Sequence, residues 1–332
     1  MIVLGCIAFG GLGTLDGSVT SEKAGINGII AFGEGDSDIE VESCADGIDL
    51  GTPFLIGSVS KQFTGFLALR HLGDFFETDI TTLLTEDEFQ SLIGGLSECV
   101  RSFLWPELRL EHLAGVTVEN LLTHYSRINY GTGEKLTGFL YQNLNFDLIG
   151  LLLGKQTGRP YEELAHGLFR EADMTDTFLQ SDFPERELFD RLEGSLKIIG
   201  RDPGTMKMDR MTKVENPAGG IVSTARDLLK WNRFLYKNGY YKKLVKYAKD
   251  DCSGRKYGFG IVTNDRKSFY MHDGCVPVAG VHYSSFLLYA PNTEVSVIGF
   301  QVIDRSEEEN FDRFLRSVIS SKAELERREV GL

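Results

Sequence analysis

Cysteine is scarce in this chain. The five present (Cys6, Cys44, Cys99, Cys252, Cys275) are scattered, odd in number and never spaced Cys-x-x-Cys. The six histidines show no His-x-x-x-His spacing, so no structural zinc site is expected. Positive charge is short as well, with 35 Lys and Arg against 48 Asp and Glu, a formal net charge of −13. That balance argues against a nucleic-acid or anionic-membrane partner. One basic run, Lys242, Lys243, Lys246 and Lys249, is interleaved with Tyr240, Tyr241 and Tyr247; in an acidic chain it is read as a solvated helix face. No apolar run reaches the ~18 residues of a transmembrane helix. The apolar N-terminus has no basic residue ahead of it. Val3-Leu-Gly-Cys6 looks like a lipoprotein cleavage box, but too few residues precede it for a signal sequence, so a short buried segment is expected. No repeat or low-complexity stretch is visible.

What is present suits a globular chain: 332 residues, 42% hydrophobic and 25% charged, enough for a substantial core. The stretch Phe54 to Leu72 organises the rest. From Lys61 onward, Phe63, Phe66, Leu67, Leu69 and Leu72 recur at helical spacing, and Gly73 closes the helix. Ser58 sits at the helix start with Lys61 one turn on. A lysine amine so placed can take the proton of a serine nucleophile. The unpartnered amides of a first helical turn offer donors to an oxyanion. Ser58 as a helix cap is the competing role. The spacing recurs at Ser253-Gly-Arg-Lys256, in a polar run read as a solvated loop.

In chain order, Asn27–Phe32 and Ile39–Val41 read as a hairpin turned at residues 33–38. Residues 74–116 read as irregular, acidic and helical, with Thr85-Glu-Asp-Glu88 as a capping box. Short helices are expected at Thr117–His124, Tyr141–Leu153 and Pro160–Phe169, then mixed loops over 176–215. After Asn216-Pro-Ala-Gly-Gly220, Thr224 caps a helix with Leu228, Trp231, Phe234 and Leu235 on one face. Strands are expected at Tyr257–Val262, Ser268–Met271, Ser285–Tyr289 and Glu294–Val302, and a last helix at Glu307–Ser320. Strands at both ends of the order suggest one antiparallel sheet assembled from the two ends, with a helical block inserted.

A Ser/Lys pair needs a further acid/base and substrate donors. Tyr141-Gln-Asn143 supplies a phenol and an amide; Tyr236-Lys-Asn238 copies it at a helix end before Gly239. His272-Asp-Gly274 follows a strand, and glycine there lets a substrate backbone approach. Its copy is His71-Leu-Gly73.

In that order and context, Gly57-Ser-Val-Ser-Lys61, Tyr141-x-Asn143 and His272-x-Gly274 resemble the serine β-lactamase-related family of class C β-lactamases, D-Ala-D-Ala carboxypeptidases, D-aminopeptidases and family VIII-type esterases. Thr117–His124, Ala218–Ala225 and Tyr257-Gly-Phe-Gly260 add to the likeness, which runs from about Ile26 to Arg316. The resemblance implies an α/β (α+β) fold of the β-lactamase/penicillin-binding-protein type. An antiparallel sheet flanked by helices would occupy 26–73 and 205–332, and a mainly helical domain 74–204; residues 1–25 match nothing. It implies Ser58 as the acylated serine, Lys61 and Tyr141 as its proton partners, and Asn143, His272, Gly274 and the Cys275 amide as substrate and oxyanion donors. Burial and neighbouring positive charge are expected to depress the Lys61 pKa. No metal or cofactor is implied.

Implied partners are small molecules or peptides with a scissile ester or amide, in the cell envelope or periplasm; the oligomeric state is not legible. Within the family, an esterase or a D-amino-acid peptidase or carboxypeptidase is favoured over a β-lactamase proper, because His272 stands where class C β-lactamases carry lysine. A catalytically silent scaffold stays open, because His124-Tyr-Ser-Arg127 replaces the relatives' His-Thr-Ser-Gly.

Overall fold

The computed structural model describes residues 27–197, 211–278 and 281–304. The first strand, β1 (Gly28–Glu34), is buried at every position except the last, which suits a run of small and apolar residues in the middle of a sheet. It forms the expected hairpin with β2 (Glu40–Cys44). The short β3 (Phe54–Leu55) leads into a 3₁₀ turn, Gly57–Val59, and then α1 (Ser60–His71). This helix departs from the one-faced expectation. Residues 60 to 68 are all buried, so polar positions need internal partners. They have them: Ser60 Oγ accepts from Ile221 N at 3.1 Å, Gln62 Oε1 from Trp231 Nε1 at 3.0 Å, and Thr64 Oγ1 donates to Pro217 O at 2.7 Å.

The acidic stretch that follows breaks into α2 (Ile80–Leu83), α3 (Glu86–Gly95) and α4 (Glu98–Arg101), and the short helix expected after it is α5 (Val118–Leu122). The Thr85/Glu88 capping box forms in both directions. Next come α6 (Asn143–Thr157) and α7 (Tyr161–Glu171), with Pro160 as the N-cap of α7. After β4 (Phe178–Leu179), part of the stretch expected to be loop is instead α8 (Glu185–Lys197). Leu188, Phe189, Leu192 and Leu196 are buried along one face of it, a 3–4 spacing hidden in a highly charged segment.

The second half holds α9 (Asn216–Gly219), β5 (Ile221–Ser223), α10 (Ala225–Lys237) and α11 (Tyr240–Leu244). Then follow β6 (Lys249–Asp250), β7 (Lys256–Tyr257), β8 (Val262–Thr263), β9 (Tyr270–Val278), β10 (Val281–Ala290) and β11 (Val295–Asp304). The single strand expected at 257–262 is two, because the chain reverses between Tyr257 and Val262, which pair, and Gly260 takes φ +71°. The basic run is a helix face only in part: Lys242 and Lys243 are exposed on α11, but the helix ends at Leu244, Tyr241 is buried and stacks on Tyr270 and Tyr289, and Tyr247 stacks on Phe259. The expected helix at 307–320 and residues 1–25 lie outside the described residues.

Among the described residues an eight-stranded antiparallel sheet has the order β2-β1-β11-β10-β9-β8-β7-β6. Ala31 pairs with Ile298, so the two ends of the chain share this sheet. A smaller sheet, β3-β5-β4, links the segment before α1 to that after α9. The helices of residues 80–171 stand beside α1. Thus α1 runs through the middle, packed by α6, α7 and α9 and joined to β9 through the 3₁₀ turn.

Candidate active site

Ser58 occupies the middle of the 3₁₀ turn. Neither that turn nor α1 has a side-chain cap, so Ser58 does not act as one. Its Oγ accepts a hydrogen bond from Lys61 Nζ at 3.0 Å. Lys61 is fully buried, and Nζ also donates to Asn143 Oδ1 at 2.8 Å and Ala218 O at 2.6 Å. These partners differ chemically. The two oxygens of Asn143 and Ala218 only accept, whereas the serine hydroxyl carries a proton. Once neutral, the amine would point its two N–H bonds at Asn143 and Ala218 and its lone pair at the Ser58 O–H. That is the arrangement a general base requires.

Tyr141 stands two residues before the start of α6 and sets its ring over the amine, 5.0 Å from Lys61 Nζ to the ring centroid. Its ring lies 4.3 Å from that of His124 and 6.2 Å from that of His272. On β9 the period-2 alternation buries His272, Gly274 and Val276. Gly274 is where β9 meets the turn that carries Ser58: a Cβ there would stand 2.1 Å from Ile56 O and 2.9 Å from Ser58 N. One added at Gly57 would stand 3.0 Å from Cys275 N, so the amides of Ser58 and Cys275 belong to one small region. The Cys275 thiol lies 3.9 Å from His282 Nδ1 and takes no part in it. All of the residues singled out from sequence thus converge: Ser58, Lys61 and Asn143 by direct hydrogen bonds, Tyr141 and His272 by ring contacts, Gly274 and Cys275 by backbone approach.

Both histidines are electrically neutral components. His272 Nδ1 donates to Asp273 O at 2.5 Å, which leaves Nε2 to accept from Tyr257 Oη at 2.9 Å. Burial and then the Lys61 charge lower its pKa to about 3. His124 Nδ1 takes the N–H of Gln142 at 3.3 Å and the amide of Asn145 at 3.0 Å, and burial holds its pKa well below the usual imidazole range. Arg255, whose charge reaches His272, is itself paired to Asp251 at 3.0 Å.

Four contributors were not singled out as site residues. Gln142, the variable position of Tyr-x-Asn, accepts from Tyr130 N at 2.8 Å and donates to Ser126 Oγ at 3.0 Å and Ile128 O at 2.8 Å, stapling the loop after α5 to the site. Asn145 ties His124 to the Tyr130 hydroxyl. Tyr257 and the Ala218 carbonyl stood only inside segments of general likeness. Glycine flanks both, and that signals close backbone approach without naming a partner. In the altered loop, Arg127 has φ +62° and is exposed, its guanidinium toward Gly115, so it brings no charge to Lys61 or His272.

The repeated motifs lie in different surroundings. Ser253 is bonded to Asp251, Tyr236 stacks on Tyr289, and His71 ends α1 beside Arg70.

Known proteins share the fold. "Protein flp" of Staphylococcus aureus (strain NCTC 8325 / PS 47) is 23% identical over 183 residues, 52% of this chain and 34% of that protein, so the chain spans about a third of its length. Among solved structures, D-amino acid amidase from Ochrobactrum anthropi SV3, complexed with D-phenylalanine, matches with a TM-score of 0.57 at 18% identity, covering 83% of this chain and 87% of that one. A penicillin-binding protein from Bacillus halodurans matches with a TM-score of 0.52 at 18% identity, covering 83% and 91%. The family model described as Beta-lactamase matches residues 40–316, and the chain belongs to that family.

Proposed function

We propose that this chain is a serine hydrolase working through an acyl-enzyme. The observation that carries the reading is the 3.0 Å contact between Lys61 Nζ and Ser58 Oγ, held by two acceptors that cannot give up a proton. Ser58 Oγ attacks the substrate carbonyl carbon as Lys61 takes the hydroxyl proton. The carbonyl oxygen becomes an oxyanion facing the amides of Ser58 and Cys275. Tyr141 passes a proton to the leaving group as the scissile bond breaks. Water then attacks the acyl-enzyme by the reverse route and releases the acid. The Asn143 amide donates to the carbonyl of the substrate's acyl portion.

Substrate choice follows from charge. A neutral His272 offers no fixed cation to a substrate carboxylate, and Arg255 is engaged by Asp251. A small ester, or the amide or short peptide of a D-amino acid, suits such a site better than a carboxylate-bearing β-lactam. Measuring kcat/KM for a p-nitrophenyl ester, a D-amino-acid amide, a D-Ala-D-Ala peptide and a chromogenic cephalosporin tests this. The ester or D-amino-acid substrates should lead, and cephalosporin turnover far above them would overturn the assignment.

A further inference from the structure

Tyr257-Gly-Phe-Gly260 is a motif that the acyl-transfer steps leave without a role. Its tyrosine, on β7, is 2% exposed. The chain then reverses through Gly260, where a Cβ would stand 2.1 Å from Lys61 O. The turn is therefore seated directly on the backbone of α1 at the lysine. Phe259 N donates to Leu244 O at 2.9 Å, which holds the same turn against the end of α11. Tyr257 pairs with Val262 on β8, and Val262 pairs with Met271 on β9, the neighbour of His272. The motif thus sets Tyr257 in register with both Lys61 and His272.

The hydrogen bonds at His272 fix its chemistry. A backbone carbonyl only accepts, so the 2.5 Å contact to Asp273 O puts the ring proton on Nδ1. Nε2 is left as an acceptor, and the Tyr257 hydroxyl donates to it at 2.9 Å. Both ring nitrogens are engaged. The tyrosine ring is itself wedged, 4.7 Å from His124, 5.7 Å from Phe139 and 6.0 Å from Tyr141, and it stands edge-on to His272 at 5.6 Å. The charged and titratable groups around His272 are Lys61 from α1, Tyr141 ahead of α6, His124 from the loop after α5, and Arg255 ahead of β7, which Asp251 holds. Asp273 lies on the other face of β9, and Leu287, opposite His272 on β10, is apolar. A hydroxyl donating to Nε2 favours the neutral ring. Burial and the Lys61 charge act in the same direction.

We propose that Tyr257 is a specificity-determining residue: by occupying Nε2 it holds His272 as the neutral Nδ1–H tautomer, so the site offers no cation to a substrate carboxylate. Tyr257 acts through His272 and is a positioning residue. The substrate consequence rests on the acyl-enzyme reading, whereas the tautomer is independent of it.

The tautomer is read by side-chain nitrogen-15 NMR of the full chain labelled at histidine, with the His272 signals identified by their loss in His272→Gln. The parent should show Nδ1 protonated and Nε2 bare, unchanged between pH 7.5 and pH 4.5. In Tyr257→Phe the ring should take up a proton, or shift toward the Nε2–H form, within that range. A parent His272 protonated at Nε2, or a Tyr257→Phe spectrum identical to the parent's throughout, would overturn the proposal. Should Tyr257→Phe not fold, the parent spectrum still decides, because a ring that titrates above pH 4.5 contradicts the lock.

Kinetics supply the second arm, as the ratio of kcat/KM for a D-Ala-D-Ala peptide to that for the same peptide amidated at its C-terminal carboxyl. Lowering the pH from 7.5 to 4.5 should raise this ratio about tenfold more in Tyr257→Phe than in the parent, the scale of one hydrogen bond to a charged group. A ratio that moves identically in the two would overturn the specificity role. A parent chain that hydrolyses neither peptide would count against the substrate reading instead, and the spectra would then decide the role of Tyr257.

Discussion

The spacing Ser-x-x-Lys occurs twice in this chain, and the two copies share almost nothing else. At Ser58 the backbone winds into a 3₁₀ turn and then α1, so a half-buried serine and a fully buried lysine come together at 3.0 Å. At Ser253 the chain turns sharply around Asp251. That carboxylate takes the serine hydroxyl at 2.6 Å, and Lys256 leaves for Asp265 at 2.9 Å. A carboxylate beside a serine and another beside a lysine keep both groups in their resting protonation states. The first copy gives its lysine the neutral oxygens of Asn143 and Ala218. Spacing supplies the residues; helical winding and the direct partners of each pair set the two copies apart.

The largest effect should come from breaking the first copy alone. Ser58→Ala should remove acylation, a loss of about 10³-fold or more in kcat/KM, with Lys61→Ala nearly as severe because the pair acts as a unit. Ser253→Ala and Lys256→Ala should leave kcat/KM within about twofold. Ester hydrolysis followed side by side in the four variants checks the contrast. Next is Tyr141→Phe, expected to cost about 10²- to 10⁴-fold in kcat while sparing the fold. A leaving group that departs without protonation, such as p-nitrophenolate, should recover part of that loss in the acylation step.

A smaller effect concerns the sheet side of the site. Gly274→Ala places a methyl 2.1 Å from Ile56 O, and backbone on both sides must shift. A destabilisation of about 1–3 kcal/mol is expected, read as a lower denaturation midpoint in urea. Acid should reveal the two neutral histidines. His272 has a folded pKa of about 3 against an ordinary value of 6.5. Its neutral form is favoured by folding, so the unfolded chain binds the proton more readily. Its stability contribution is complete above pH 6.5 and is lost as pH falls from there toward 3. His124 acts in the same direction. Urea midpoints at pH 7 and pH 4.5 should show the decline, and His272→Gln should reduce it. The smallest effect is at Arg127, exposed at φ +62°. Arg127→Gly should raise stability by up to about 1 kcal/mol and leave kcat/KM unchanged, because glycine removes the left-handed strain.

Much of this site is legible without coordinates because its elements are short-range. Ser58 and Lys61 are one turn apart, Tyr141 and Asn143 flank a helix start, and His272 and Gly274 share a strand face. The shared sheet was legible too, since apolar runs at both ends of the order leave few other ways to bury them. What stayed hidden is long-range and backbone-borne. Nothing in the letters Ala218-Gly-Gly says that a carbonyl there receives a lysine from α1. Tyr257 looked like strand filler until Nε2 of His272 came to rest on its hydroxyl. The helix α8 was masked by charge, its four buried apolar residues diluted among acidic and basic neighbours.

The most direct test is the site of covalent labelling. The intact chain is treated with a fluorophosphonate, digested, and the modified peptide sequenced by mass spectrometry. The account expects a single adduct on Ser58, absent from Ser58→Ala and strongly slowed in Lys61→Ala. An adduct on Ser253 or any other hydroxyl, or labelling undiminished in Ser58→Ala, would contradict it.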